Sequence, residues 1–432
     1  MYDPGNSDVA KRRGQANLHR EGRSQALSVL RACASEDGFL ASPSDQANYK
    51  RIWGRDGSIL ALAALLSGEE ELIAVGEATL RTLARHQGPH GEIPSNVDTA
   101  SGRISYGGTA GRVDAGLWWT IAVGEVVKRR AHGRGFVEEM ARPLDRCRWL
   151  FGAWEFNARG LLFVPPTGDW ADEYVQSGYV LYDNLLYLQA QRAFAAFYRV
   201  QRNGGEDHRL DERIAHLGQL IRANYWFDGE AHDPPEDAYH PVLWRKGPEA
   251  SVNCRGRHWM PFFSPLGYGT RFDGMAHGLV SLFGVSNGAQ DAVVDEYLEA
   301  SVTKPIGELG GRLLPAFDPV ITPRDEYWSE LQMSFSHTFK NEPYHYHNGG
   351  LWPLVTALSA AAAEQRGDHA LALRYASGVH EANRAERDGQ VWSFPEYLDG
   401  KRQRPGGTWP MGWSAAAAII AGAYLDGERI FG

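Results

Sequence analysis

Three short stretches of this 432-residue chain combine acids with indole or phenol rings. The first is Trp53-Gly54-Arg55-Asp56, at the start of an apolar run. An Asp there caps a helix well, and the adjoining Trp and Arg add a stacking plane and a forked donor suited to vicinal hydroxyls. The second is Gly168-Asp169-Trp170-Ala171-Asp172-Glu173-Tyr174. An acid against an indole face is desolvated, which penalises its charge and suits it to general-acid work. The third is Trp392 to Asp399, in which Glu396 is framed by Phe394, Pro395 and Tyr397. Two such carboxyl groups on separate loops are what hydrolysis of a glycosidic bond requires. Glu396 is therefore the candidate base, and the acids of the second cluster, Asp169, Asp172 and Glu173, supply the candidate acid.

Two further patches fit a polar, ring-lined cleft. Arg112-Val113-Asp114 precedes Trp118-Trp119, and Tyr344-His345-Tyr346-His347-Asn348 precedes Trp352-Pro353. The alternate histidines lack a third ligand in the sequence, so no metal site is expected and no organic cofactor is implied.

These clusters must be positioned by helices. Apolar residues at helical spacing recur over about 18–34, 57–66, 70–87, 114–132, 136–158, 179–202, 207–227, 271–284, 288–302, 348–365, 368–388 and 410–425. Long loops rich in Gly, Pro and aromatics separate them at 88–113, 159–178, 228–270, 303–347 and 389–409. Loops of that length in a compact domain carry function. The pattern predicts an all-α barrel of paired helices with its long loops at one end. Residues 1–14 read as a flexible arm and 15–432 as a single catalytic domain.

A net charge of -9 gives no basic surface for nucleic acid or anionic membrane. Fourteen Trp and eighteen Tyr suit a carbohydrate partner or a large core. Cys33, Cys147 and Cys254 form no framework, and the N-terminus lacks the apolar core of a signal peptide, so a cytoplasmic location is expected.

The order of the clusters resembles the six-hairpin, (α/α)6-barrel glycosidases, a group including glucoamylases, neutral invertases and glucan debranching glucosidases. Trp53–Asp56 is similar to the W-x-R-D element of glucoamylases. Trp170–Glu173 resembles their W-E-E segment, with Ala171 inserted and Asp172 in place of the acid Glu. Glu396–Asp399 followed by Trp413-Ser414 resembles the stretch carrying their base, with Leu398 where a Tyr is usual. Val113–Trp119 and Tyr346–Pro353 resemble V-D-S-G-L-W-W and Y-H-N-G-G-x-W-P of the invertases, whose catalytic Asp falls at Asp172. Val175–Asn184 departs from the invertase pattern, so sucrose is not singled out.

The resemblance implies an exo-acting, inverting hydrolase of an α-glucoside. Asp172 would be the general acid and Glu396 the general base. Trp53, Arg55, Asp56, Asp114, Trp118, Trp170, Glu173, His347, Asn348, Trp352 and Trp409 would contact substrate. The rivals are an epimerase or isomerase using histidines such as His277 with His345 or His347, a glycoside phosphorylase, and a sugar-binding protein without turnover.

Overall fold

A computed structural model describes residues 4–130, 134–202, 204–205, 207–228, 233–253, 257–335 and 337–431. Its first seven helices are α1 (Pro4–Cys33), α2 (Gly54–Ser67), α3 (Glu70–Arg85), α4 (Val113–Arg129), α5 (Arg134–Ala153), α6 (Leu181–Gln201) and α7 (His208–Tyr225). Two short ones, α8 (Pro241–Trp244) and α9 (Lys246–Asn253), lie in the next loop. Then come α10 (Gly274–Leu282), α11 (Gly288–Tyr297), a small α12 (Trp328–Met333), α13 (Pro353–Gln365), α14 (His369–Arg384) and α15 (Gly412–Leu425).

Six of these close a ring. Helix α2 packs on α4, α4 on α6, α6 on α10, α10 on α13, α13 on α15, and α15 returns to α2. The others form an outer layer, α3 against α2, α7 against α6 and α14 against α13, with α1 across α14 and α15. This is the (α/α)6 barrel expected. Every helical segment predicted from apolar spacing is present, because the spacing records burial. Inner helices are covered on both sides and so are apolar all round, as in the almost wholly buried GWSAAAAIIAGAYL of α15. Outer α3 keeps Glu70, Glu71 and Glu77 on its open face. Small residues let inner helices approach: a Cβ on Gly124 of α4 would lie 2.6 Å from the Cβ of Ala193 in α6.

One expectation is corrected. The segment read as an arm is helical from Pro4 onward, as the first turns of α1. Its Ala, Lys and Arg residues are good helix formers. Among the described residues no helix is long and apolar enough to cross a membrane.

The inner helices all begin at the same end. Short strands lead into three of them: Ile52–Trp53 into α2, Tyr179–Val180 into α6 and Phe272–Asp273 into α10. Each pairs antiparallel with a loop strand, Ile52 opposite Val97, Tyr179 opposite Phe263 and Phe272 opposite Asp318. The long loops are thereby pinned over the helix N-termini. At the other end Phe431 closes the interior, its ring 5.3 Å from Phe283 and 6.5 Å from Trp118.

Candidate active site

The first turns of three inner helices carry acids, Asp56 in α2, Asp114 in α4 and Asp183 in α6, and Asp273 caps a fourth, α10. Helix N-termini favour negative charge. Burial opposes it, and burial wins. It pushes Asp56 up to about 6 and Asp273 to about 7, and holds Asp183 well above the usual carboxylate range. Arg55 sits among them, its Nη1 2.9 Å from Asp114 Oδ2 and its Nε 3.6 Å from Asp56 Oδ2. Tyr182 donates to the same Asp114 oxygen and accepts from the Trp118 indole.

Beside this polar corner lies a layer of rings. Trp352 stacks on His347 and Tyr397 and meets Trp170 and Trp413 edge-on. Several buried polar atoms facing this region have no hydrogen-bond partner among the described residues: both oxygens of Asp56, Asp114 Oδ1, Arg55 Nε, Trp170 Nε1, Trp413 Nε1 and His347 Nδ1. Native proteins rarely leave so many buried donors and acceptors unsatisfied in one place. A polyhydroxylated ring would meet both kinds.

Glu396 is 3% exposed and enters from the loop before the Tyr397–Leu398/Pro405–Gly406 hairpin. Tyr49 Oη donates to Oε1 at 2.7 Å, and the Thr408 N–H to Oε2 at 3.0 Å. Burial raises its pKa above the usual value, and these two bonds oppose the rise. Gly407 makes the fit possible: at φ +72° its missing Cβ would lie 2.1 Å from Glu396 Oε2.

Asp172 approaches from the 159–178 loop. Its side chain is 22% exposed, and Oδ2 lies 2.5 Å from Arg112 Nη2. Arg112 also binds the Thr167 carbonyl, which fixes the loop where Thr167 holds a φ of +65°. Burial, then the charges of Glu396, Asp56 and Asp172, hold the Tyr49 hydroxyl far above its ordinary value. The charges of both carboxylates thus act on the one Tyr49 hydroxyl. Asp169 behaves differently. It is 1% exposed, takes bonds from Gln176 Nε2 and the Ala171 N–H, and burial raises its pKa. Asp169 is enclosed, whereas Asp172 keeps part of its carboxylate exposed.

The structure brings Arg55, Asp56, Asp114, Trp170, Asp172, Glu173, His347, Trp352 and Glu396 together. Trp53 stacks on Tyr49 at 5.7 Å, and Trp409, next to Thr408, lies under Arg387. Two expected contacts are corrected. Asn348 spends its amide on Ile321 and Asn341: Nδ2 donates to both carbonyls and Oδ1 accepts from the Ile321 N–H. It staples loops, with both of its N–H donors committed to backbone. Trp118 has its one donor on Tyr182 and its ring toward Phe431, so it backs the site. His277 is likewise committed, Nδ1 to the Asp273 carbonyl and Nε2 to the Trp259 N–H, and burial lowers it to about 3.

Sequence reading passed over three neighbours of these side chains, Tyr49, Tyr182 and Lys340, and gave Trp413 no contact of its own. Lys340 Nζ stands 3.9 Å from Glu173 Oε2 and 4.9 Å from the Tyr346 ring centre, at the open side of the cleft. Its loop is fixed by Ser334 and Asn341, whose side chains both bind the Glu173 carbonyl. Among the described residues no group of three or more His, Cys, Asp or Glu could hold a metal ion, and Cys33 and Cys147 are free thiols. Cys254 lies outside the described residues.

Residues 321–424 match the family model for alkaline and neutral invertase. Probable alkaline/neutral invertase F of Arabidopsis thaliana is 24% identical over 88% of this chain and 81% of its own length. Cytosolic invertase 1 of Oryza sativa subsp. japonica is 23% identical over 94% and 75%. Among solved structures, a mannosylglycerate hydrolase from Thermus thermophilus in complex with glucose superposes with a TM-score of 0.62. It is 16% identical and covers 92% of this chain and 99% of its own. A bacterial glucoamylase complexed with acarbose gives 0.63 at 13% identity, over 96% of this chain and 56% of its own. The fold is that of the six-hairpin glycosidases. The invertase likeness and the glycosidase neighbours support a glycoside hydrolase.

Proposed function

We propose that the chain is an exo-acting, inverting hydrolase of an α-glucoside, with Asp172 as general acid and Glu396 as general base. The observation that carries this reading is the pair of carboxylates on opposite loops above one buried polar corner. Asp56 and Arg55 would grip the hydroxyls of the terminal sugar, and Trp170 and Trp413 would offer it their indole N–H groups. Asp172, the more accessible acid, would protonate the leaving oxygen at the open side of the cleft. Glu396, held by Tyr49 and Thr408, would take the proton of a water attacking from the other face. Inversion leaves roughly 6.5–9.5 Å between such carboxyl groups.

An epimerase needs histidines free to move protons. His277 has both nitrogens engaged, which argues against that rival. The invertase relatives make sucrose one member of the substrate panel, beside isomaltose, maltose and glucosylglycerate. Proton NMR of the first anomer released tests the reading. Early β-glucose from an α-linked substrate is the expected result. Early α-glucose would overturn inversion, and inertness toward the whole panel would overturn the α-glucosidase assignment.

A further inference from the structure

A second cavity, of about 440 Å³, lies on the outer side of the hairpin whose inner side holds Glu396. It is lined by Tyr344, His345, Asp399, Lys401, Arg402, Arg404 and their neighbours. Its charge is lopsided. Asp399 is 6% exposed and turns its carboxylate onto backbone, accepting from the N–H groups of Lys401, Arg402 and Arg404. Those bonds satisfy the one lining acid and arrange the three cationic side chains around a single turn. None of the three makes an ion pair with a described residue. The Lys401 ammonium lies 6.0 Å from the Tyr344 ring centre, and the exposed Glu342 is close in sequence but not part of the lining.

Three like charges within four residues repel, and acids outnumber bases in this chain by nine. An unpaired basic pocket on an acidic protein is a selective electrostatic feature. Its volume suits a small molecule, and the overall charge disfavours a polyanion such as nucleic acid. Guanidinium groups match the geometry of phosphate oxygens in bidentate fashion.

From this pocket we infer that the chain binds a phosphate group, free or as the ester of a small metabolite, through Lys401, Arg402 and Arg404. The inference is independent of the glycosidase reading. Occupancy would tie together the turn that closes the Glu396 hairpin, since the Gly400 N–H also binds the Tyr344 carbonyl at 2.8 Å.

The test uses the full chain at fixed ionic strength, titrated with inorganic phosphate or glycerol 3-phosphate against chloride. Thermal melting and isothermal calorimetry give affinity, and hydrogen exchange at 399–406 gives location. Both phosphate probes should raise Tm and slow exchange in that segment. The Arg402→Ser, Arg404→Ser double variant should weaken binding at least about tenfold. Both side chains are exposed, and Lys401→Gln serves as a milder variant should the double one misfold. A stronger response to glycerol 3-phosphate would identify an ester as the ligand, and equal responses free phosphate. No response to either probe, or one that persists in the variants, would overturn the inference.

Discussion

At the scale of the residue, Glu396 and Asp172 differ in how they are held, and their variants should differ accordingly. Glu396→Gln keeps the size of a side chain wedged against Tyr49 and Thr408. It should lower kcat about 10²–10⁴-fold with little change in KM. Asp172→Asn should do the same for substrates with poor leaving groups and much less for an activated aryl glucoside, whose departure needs no proton. Equal losses on both substrates would count against the acid role. Arg112 gives a separate handle: Arg112→Ala removes the side chain that holds both Asp172, at 2.5 Å, and the Thr167 carbonyl, and should lower kcat in steady-state assays.

The residue scale is also where sequence reading succeeded least evenly. The grouping of Arg55, Asp56, Asp172 and Glu396 at one end of the barrel was legible because charged residues beside rings are conspicuous. Tyr49 was not, since its partner lies 347 positions away and its own loop has no periodicity. Asn348 misled for a physical reason. A polar side chain in an aromatic motif looks alike whether it faces a ligand or satisfies buried backbone. Asn348→Ala should cost about 2–4 kcal/mol in chemical denaturation, because it strands the Ile321 N–H and carbonyl.

At the scale of the element, the loops deliver the site at a conformational cost. Positive φ values occur at Ala47, Thr167, Tyr344, Tyr346, Trp392 and Phe394, each within a few residues of a cleft side chain. Such conformations cost of order 1 kcal/mol or more apiece and persist where surroundings fix them. The hairpin after Glu396 shows the tolerance involved. Gly407→Ala should leave the barrel intact by circular dichroism yet cut kcat sharply, since the new methyl would occupy the place of the carboxylate. Retained activity would mean that the hairpin can shift. The helices themselves were legible throughout, because burial on one side or both writes itself into apolar spacing. Loop contacts leave no such periodic mark.

At the scale of the whole molecule, buried acids gathered at one end of the ring set how stability follows pH. Asp56 is raised to about 6 and Asp273 to about 7, above the value near 3.9 of the unfolded chain. Between those limits the unfolded state binds fewer protons than the folded one, so these groups favour folding at low pH and that contribution is lost as pH rises through 6 to 7. Asp273→Asn should therefore flatten the fall of Tm between pH 5 and pH 7.

The ring is open at its loop end and stoppered by Phe431 at the other. Such a barrel is a cul-de-sac. A polymer cannot be threaded through it, and whatever enters first must leave last. On the proposed reading the aglycone would depart toward solvent while the freed sugar waited behind it, among Asp56, Arg55 and the indoles. Turnover would then have a fixed order of exit, with the sugar the product that competes with fresh substrate for the empty enzyme.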